Sequence, residues 1–188
     1  MSATQRKPMT VAEFLDWEEQ QELRWEFDGF EPVAMAGGTE QSAAIQRNLN
    51  GQLYARLRGK PCRPYGSELK IFVAGSIRYP DAFVVCSPVA PKATVVAEPV
   101  VVFEILSPST AFIDRGVKNE EYRDTPSIVR YVMLEQDRQA ATVFTRVGDD
   151  WVGHIRSGDA VLNMPEIGID LPLADIYEDI TFDETGMG

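Results

Sequence analysis

The sequence predicts an α/β or α+β fold, a central β-sheet flanked by helices. Three observations lead there. Short runs rich in Val and Phe, above all "EPVVVFEIL" and "DAFVVC", have the length and composition of buried strands. Other segments place their apolar residues at helical spacing, and no internal repeat, low-complexity tract or linker interrupts the chain, so residues 1–188 are expected to form one domain. A composition of 44% apolar and 25% charged residues is the profile of a soluble globular protein.

The elements follow in order. In "TVAEFLDWEEQQELRWEF", Val11, Phe14, Leu15 and Leu23 stand among acids, and Thr10 with Glu13 makes a capping-box signature; a helix, broken once, is expected. Asp28 and Gly29 then form a turn between two apolar stretches, which predicts a hairpin with Glu26 on or just before its first strand. From Thr39 to Leu57, Ala43, Ile45, Leu49, Leu53 and Leu57 recur at helical spacing, and Gly59 and Pro61 close the helix. The segment "SELKIFVAGSIRYPDAFVVCSP" predicts a strand, a Gly-containing turn and a second strand reached at Pro80 and Asp81. "EPVVVFEIL" lacks alternation, as a central strand covered on both faces does. "SPSTAFIDRGVKNEEYRD" offers Ser and Thr as caps and sets Asp114, Lys118 and Tyr122 four apart, on one helix face. "SIVRYVMLEQ" is predicted as a short helix, "AATVFTRV" and "WVGHIR" as strands, and "IGIDLPLADIYEDI" as a docked terminal segment.

Composition also excludes. The single His154 and the two cysteines, Cys62 and Cys86, rule out a histidine cluster or a cysteine zinc site, and the cysteine usage fits a reducing compartment. The first residues become charged before any apolar stretch could serve as a signal, and no run approaches a membrane span, so a cytoplasmic location is expected. The net charge of -11 sets an averaged field that repels nucleic acid. Against it stands "YARLRGKPCR", which gathers Arg56, Arg58, Lys60 and Arg63 as either a solvated helix end or a phosphate contact.

Two acids carry the chemical argument. Asp81 and Glu104 sit in apolar strand sequences, where a carboxylate is costly unless paired, hydrogen-bonded or bound to a cation. If their strands pair, they offer hard oxygen ligands suited to Mg²⁺ or Mn²⁺, with the backbone carbonyl of Ile105 as a supplement. Lys118 would complete such a site as a point cation for a phosphoryl transition state. Simpler roles compete: Asp81 as a turn residue, Glu104 in a buried ion pair with Lys118 or Lys70, Glu26 as a solvated or capping acid, and Asp114 with Lys118 as an exposed i,i+4 pair. Glu68 could flank a metal, and Lys70 could protect an edge strand. Ser107 and Ser109 read as helix caps, since no G-x-S-x-G elbow is present. Tyr122 reads as core or as a phosphate contact, and His154 as surface.

The order of "RYPD", "EILSPST" and "DRGVKNEEYRDTPSIVRYVML" resembles the bacterial restriction-endonuclease-like domains of the PD-(D/E)XK nuclease superfamily, long catalogued as a domain of unknown function. The resemblance runs from about Thr10 to Ile176 and includes an acid before an Asp-Gly turn, here Glu26. It implies a mixed central sheet flanked by helices, Mg²⁺-dependent cleavage of DNA, and a homodimer. It also implies that Asp81 and Glu104 bind the metal and that Glu26 is an accessory acid. The superfamily pattern puts Lys two residues after the second acid, where this chain has Leu106; the family resembled carries a lysine on the next helix, which is Lys118 here. Ser42 stands where many relatives have histidine. The function expected is that of a metal-dependent endonuclease. The alternatives are a catalytically silent binding or assembly module of the same fold, and a metal-dependent hydrolase of a small phosphorylated substrate.

Overall fold

A computed structural model describes residues 8–35, 37–107 and 111–182. In chain order the elements are α1 (Val11–Glu18), β1 (Trp25–Phe27), β2 (Pro32–Ala34), α2 (Glu40–Leu57), β3 (Arg63–Gly66), β4 (Lys70–Val73), β5 (Ser76–Arg78), β6 (Ala82–Val85), β7 (Val95–Val96) and β8 (Pro99–Ile105). They continue with α3 (Ala111–Arg115), α4 (Val117–Asp124), β9 (Arg130–Leu134), β10 (Ala140–Val147), β11 (Asp150–Ser157), β12 (Val161–Met164), β13 (Ile169–Pro172) and α5 (Leu173–Ile176).

The main sheet has six strands in the order β11-β10-β9-β8-β6-β3 and is mixed, with β8 and β9 parallel and the other neighbours antiparallel. Its centre is the Val-rich strand, as predicted. Ile45, Leu49, Leu53 and Leu57 of α2 cover one face, packing with Val101 and Phe103 of β8 and Ala82 and Val84 of β6. Tyr122 of α4 packs on the other face with Phe83, Val102, Leu106 and Tyr131. Successive residues of β6 and β8 therefore enter alternate cores, which is why neither strand shows an alternating pattern. Asp81 and Glu104 share parity with Phe83 and Val102, and so belong to the α4 side.

A second sheet, in the order β2-β1-β5-β4-β7, carries Glu26 at the middle of β1. Phe14 of α1 packs against it with Phe27 and Ile77. The Thr10–Glu13 capping box is present, and α1 ends at Glu18, well short of the strand that follows. The chain leaves the second sheet after Arg78 and joins the main one at Ala82, so Tyr79, Pro80 and Asp81 are the crossing between sheets. The strand expected to enter at Pro80 and Asp81 is β6, and the structure adds β5 before it, in the other sheet.

Two further expectations are corrected. "SIVRYVMLEQ" is strand β9, parallel to β8, because Tyr131 and Met133 fill one core while Val132 and Leu134 fill the other; a fully buried apolar run has no period that separates strand from helix. Cys62 and Cys86 form a disulfide, so cysteine usage gives no support to a reducing compartment. The pairing follows from register: Arg63 of β3 lies opposite Val85 of β6, and the cysteines are the next pair outward. Among the described residues, no helix is long and apolar enough to cross a membrane.

The β4–β5 hairpin closes with Ala74 at φ 45 and Gly75 at φ 88, opposite-handed backbone that costs an alanine roughly 1–2 kcal/mol. Asparagine tolerates this turn position far better. Ala74→Asn is expected to raise stability by about 0.5–1 kcal/mol, measured by chemical denaturation.

Candidate functional site

The antiparallel register Ala82↔Phe103 sets Asp81 across from Glu104 at the ends of β6 and β8. The amide of Ile105 donates to Asp81 Oδ2 at 2.7 Å, fixing one carboxylate beside the backbone that carries the other. From α2, the side-chain amides of Gln46 and Asn50 donate to the Asp81 carbonyl at 3.0 and 3.3 Å. Asp81 is thus more than a turn residue.

Lys118, on the first turn of α4, reaches into the same place. Its Nζ lies 3.0 Å from Glu104 Oε1, 3.3 Å from Glu26 Oε1 and 3.2 Å from Asp114 Oδ1. The 3.2 Å approach to Asp114 is an ion pair without an aligned hydrogen bond. Gly116 separates α3 from α4, yet the i,i+4 pair survives the break. That pair is not on an exposed face: Asp114 is 1% and Lys118 7% exposed. Tyr122, one turn further, is fully buried and donates its hydroxyl to Glu104 Oε1 at 2.7 Å.

Glu26 is neither solvated nor a cap. Its Oε1 accepts the Tyr79 amide at 3.1 Å, and its Oε2 accepts from Arg78 at 3.1 Å. Arg78, 2% exposed, also forks onto Glu121 of α4 at 2.6 and 2.7 Å. Arg78 and Glu121 are absent from the sequence expectations, and Asp114 enters them only as an exposed partner of Lys118. The signal for Arg78 was available, because an arginine in "SIRYP" is as anomalous in a buried strand as Glu104.

Glu26, Asp81, Glu104, Ile105, Asp114 and Lys118 line one cleft of about 530 Å³, with Gly37, Gly38 and Ser42 on its α2 side. A shallower groove continues past Gln46 and Ser67 to Arg47, Tyr54 and Tyr65. Other candidates lie elsewhere. Lys70 is buried against Glu18 and the Tyr79 ring, inside its sheet rather than at an edge. Glu68 is exposed and accepts the Gly66 amide. Ser107 receives the Ala111 amide on its carbonyl, and Ser109 lies outside the described residues. Arg56 pairs with Asp175 and Lys60 bonds the Gly168 carbonyl, so half of the basic segment is spent on packing. His154 is exposed on β11.

The linked network holds five carboxylates, Glu26, Asp81, Glu104, Asp114 and Glu121, against two cations, Lys118 and Arg78. Burial first, and the excess of acid after it, pushes the carboxyls up. Burial pushes Glu104 up to about 8, Lys118 resists this, and Asp114, Asp81 and Glu26 add to it. Burial likewise raises Asp81 to about 6, against the opposing pull of the Ile105 amide and Lys118. Burial alone would lower Lys118, but Glu104, Glu26 and Asp114 outweigh it and hold the ammonium above the ordinary lysine range. Lys118 therefore stays charged at neutral pH.

Whether a divalent cation fits is answered by the donors. Among the described residues, no three His, Cys, Asp or Glu side chains make a ready cage for a metal. Asp81 and Glu104 with a backbone carbonyl are instead the sparse, all-oxygen set with which Mg²⁺ keeps several of its waters. The unbalanced negative charge favours such an ion. The residues fit it on both counts.

Residues 11–174 match the family model Uma2, described as "Putative restriction endonuclease". The chain is 30% identical over 178 residues to the uncharacterized protein slr1290 of Synechocystis sp., an alignment that spans 93% of this chain and 94% of the relative. It is 29% identical over 150 residues to the uncharacterized protein sll1609 of the same organism, covering 76% of this chain and 84% of that one. A crystal structure from Anabaena variabilis, described as a putative nuclease belonging to DUF820, superposes with a TM-score of 0.74 over 90% of this chain and 98% of its own, at 19% identity. That likeness establishes the fold: a mixed α+β architecture shared with a nuclease-like protein.

Proposed function

The chain belongs to the Uma2 family, and from that membership together with the cleft we propose that it is a metal-dependent endonuclease hydrolysing DNA phosphodiester bonds. The observation that carries the reading is the meeting of Asp81 and Glu104 with a permanently charged Lys118 in a cleft rich in acid. Asp81 and Glu104 would hold Mg²⁺ or Mn²⁺, supplemented by the Ile105 carbonyl. An ion so held supplies a bound water of lowered pKa and neutralises charge growing on the phosphate. The remaining work belongs to the chain. Lys118 presents a fixed positive charge to the phosphoryl oxygens without taking a proton. Tyr122 orients Glu104, and Glu26, tied to Arg78 and the Tyr79 amide, holds Lys118 in place as a positioning residue. Leu106 packs in the core beneath the site, and Lys118 approaches Glu104 from α4 instead. The reading includes a cytoplasmic homodimer.

The test is incubation of DNA with purified protein and Mg²⁺ or Mn²⁺, with Asp81→Asn alongside. Cleavage by the natural chain alone, and only with the cation, supports the proposal; equal cleavage by both, or none by either, removes it.

One observation favours a second reading. Lys118 already pairs with three acids, as a resident cation would in a catalytically silent module of this fold. Mn²⁺ titration separates the two readings: a real site saturated at a hundred times its Kd stabilises the native state by about 2.7 kcal/mol, raising Tm by roughly 5–10 °C. A silent module shows no shift.

A further inference from the structure

The far edge of the main sheet is chemically unlike the cleft. β11 pairs with β10 through eight consecutive residue pairs without a bulge, and among the described residues it has no neighbour on its other side. Of its eight residues, seven are exposed, including Val152 at 40% and Ile155 at 77%. Val147 and Val161, at its two ends, are exposed as well, at 59% and 46%. Natural edges are blunted by Pro, bulges or charged side chains, Lys above all; β11 has no Pro, Lys or bulge, and its charges, Asp150 and Arg156, are of opposite sign.

The backbone says which groups are free. The Arg146 amide bonds the Val129 carbonyl and the Ala140 carbonyl accepts from Glu135, so the even-numbered residues of β10 face β9 and its odd-numbered ones face β11. Their partners on β11 are Asp150, Val152, His154 and Arg156. Trp151, Gly153 and Ile155 consequently turn their amides and carbonyls outward, as an antiparallel ladder requires.

We infer that β11 is a self-pairing edge, through which two copies of this chain join their main sheets into one. A two-fold axis through Gly153 keeps like faces together and sets outward-facing residues opposite one another. Trp151 then meets the partner's Ile155, Val152 meets the partner's His154, and Asp150 meets the partner's Arg156. Apolar lies against aromatic and acid against base, twice over by symmetry. The sequence is thus complementary to itself in this one register. Gly153 fits the centre: a Cβ there would stand 2.8 Å from the Phe144 ring, and its absence lets that ring cover the strand. The inference is independent of the cleft's chemistry.

The test is the mass of the full chain in solution by light scattering. The natural chain should be a dimer. Ile155→Lys, at an exposed position, should give monomer with an unchanged circular dichroism spectrum. Asp150→Arg and Arg156→Asp should each weaken the dimer by about tenfold or more, and the two together should restore it. The charge variants decide the matter even if Ile155→Lys fails to fold. A monomeric natural chain, a dimer indifferent to these changes, or a double variant that fails to recover overturns the inference.

Discussion

Replacing Lys118 by methionine should lower the stability of the protein at pH 7 by about 3–5 kcal/mol, a fall in Tm of roughly 6–20 °C. Methionine matches the aliphatic stem, so little volume is lost and the effect is electrostatic. Among the described residues, Lys118 is the one side chain that touches Glu26, Glu104 and Asp114 together, and all three are buried. Without it, each acid faces the others across a poorly solvated gap, and only Arg78 remains, engaged with Glu26 and Glu121. The deficit should shrink at pH 5. Asp81, raised to about 6, accepts a proton between the two pH values, whereas Glu104, raised to about 8, is already largely protonated at pH 7, so one charge fewer is left for the lysine to offset. Urea denaturation at the two pH values measures both effects. A loss that is equal at pH 5 and pH 7 would show that Lys118 acts by packing instead of charge.

How much of this was legible in the sequence depended on whether burial left a local trace. Glu104 did, because a glutamate inside "VVVFEIL" has no turn or cap to justify it, and the structure buries it to 4% exposure. Lys118 was reachable through its four-residue spacing from Asp114 and Tyr122, which survives the interruption at Gly116. That Asp114 is buried with them was not reachable, since an i,i+4 ion pair looks alike in water and in a core. The second sheet was hardest to see: the Asp28–Gly29 turn announces the β1–β2 hairpin, but β5 has three residues and β7 two, too few to show a period. Hence Tyr79–Asp81, which places the first acid, read as the entry to a second strand and not as a crossing between sheets. Arg78 belongs to this hidden layer, and so the bridge it makes from Glu26 to Glu121 of α4 went unforeseen. The disulfide depended on strand register that Cys62 and Cys86 do not reveal by spacing.

Glu104→Gln should move stability the other way. In the metal-free protein, Glu104 titrates at about 8 against an ordinary 4.5, and Asp81 at about 6 against 3.8. A carboxyl whose folded value is raised contributes stability that is fully present below its unfolded value and is lost as pH rises through the folded one. These two groups therefore make the metal-free natural chain less stable from about pH 4 to about pH 8, Asp81 over the lower part of that window and Glu104 up to its top. Glutamine keeps the shape and an acceptor for Tyr122 and Lys118 but cannot ionise, so the upper part of the slope should vanish. At pH 8 the variant should exceed the natural chain by about 1–3 kcal/mol, and below pH 4.5 the two should converge. Catalysis should respond in the opposite direction, falling roughly 10³-fold or more, because one of two side-chain ligands and several kcal/mol of transition-state stabilisation are removed. Denaturation curves across this pH range, set beside DNA cleavage in Mg²⁺, test both halves. A variant that is less stable at pH 8 and equally active would make Glu104 only the structural partner of Lys118. Gain of stability with loss of cleavage would mark it as an acid held in the core for a cation, since a merely structural ion pair has no reason to retain a charge that its own fold disfavours.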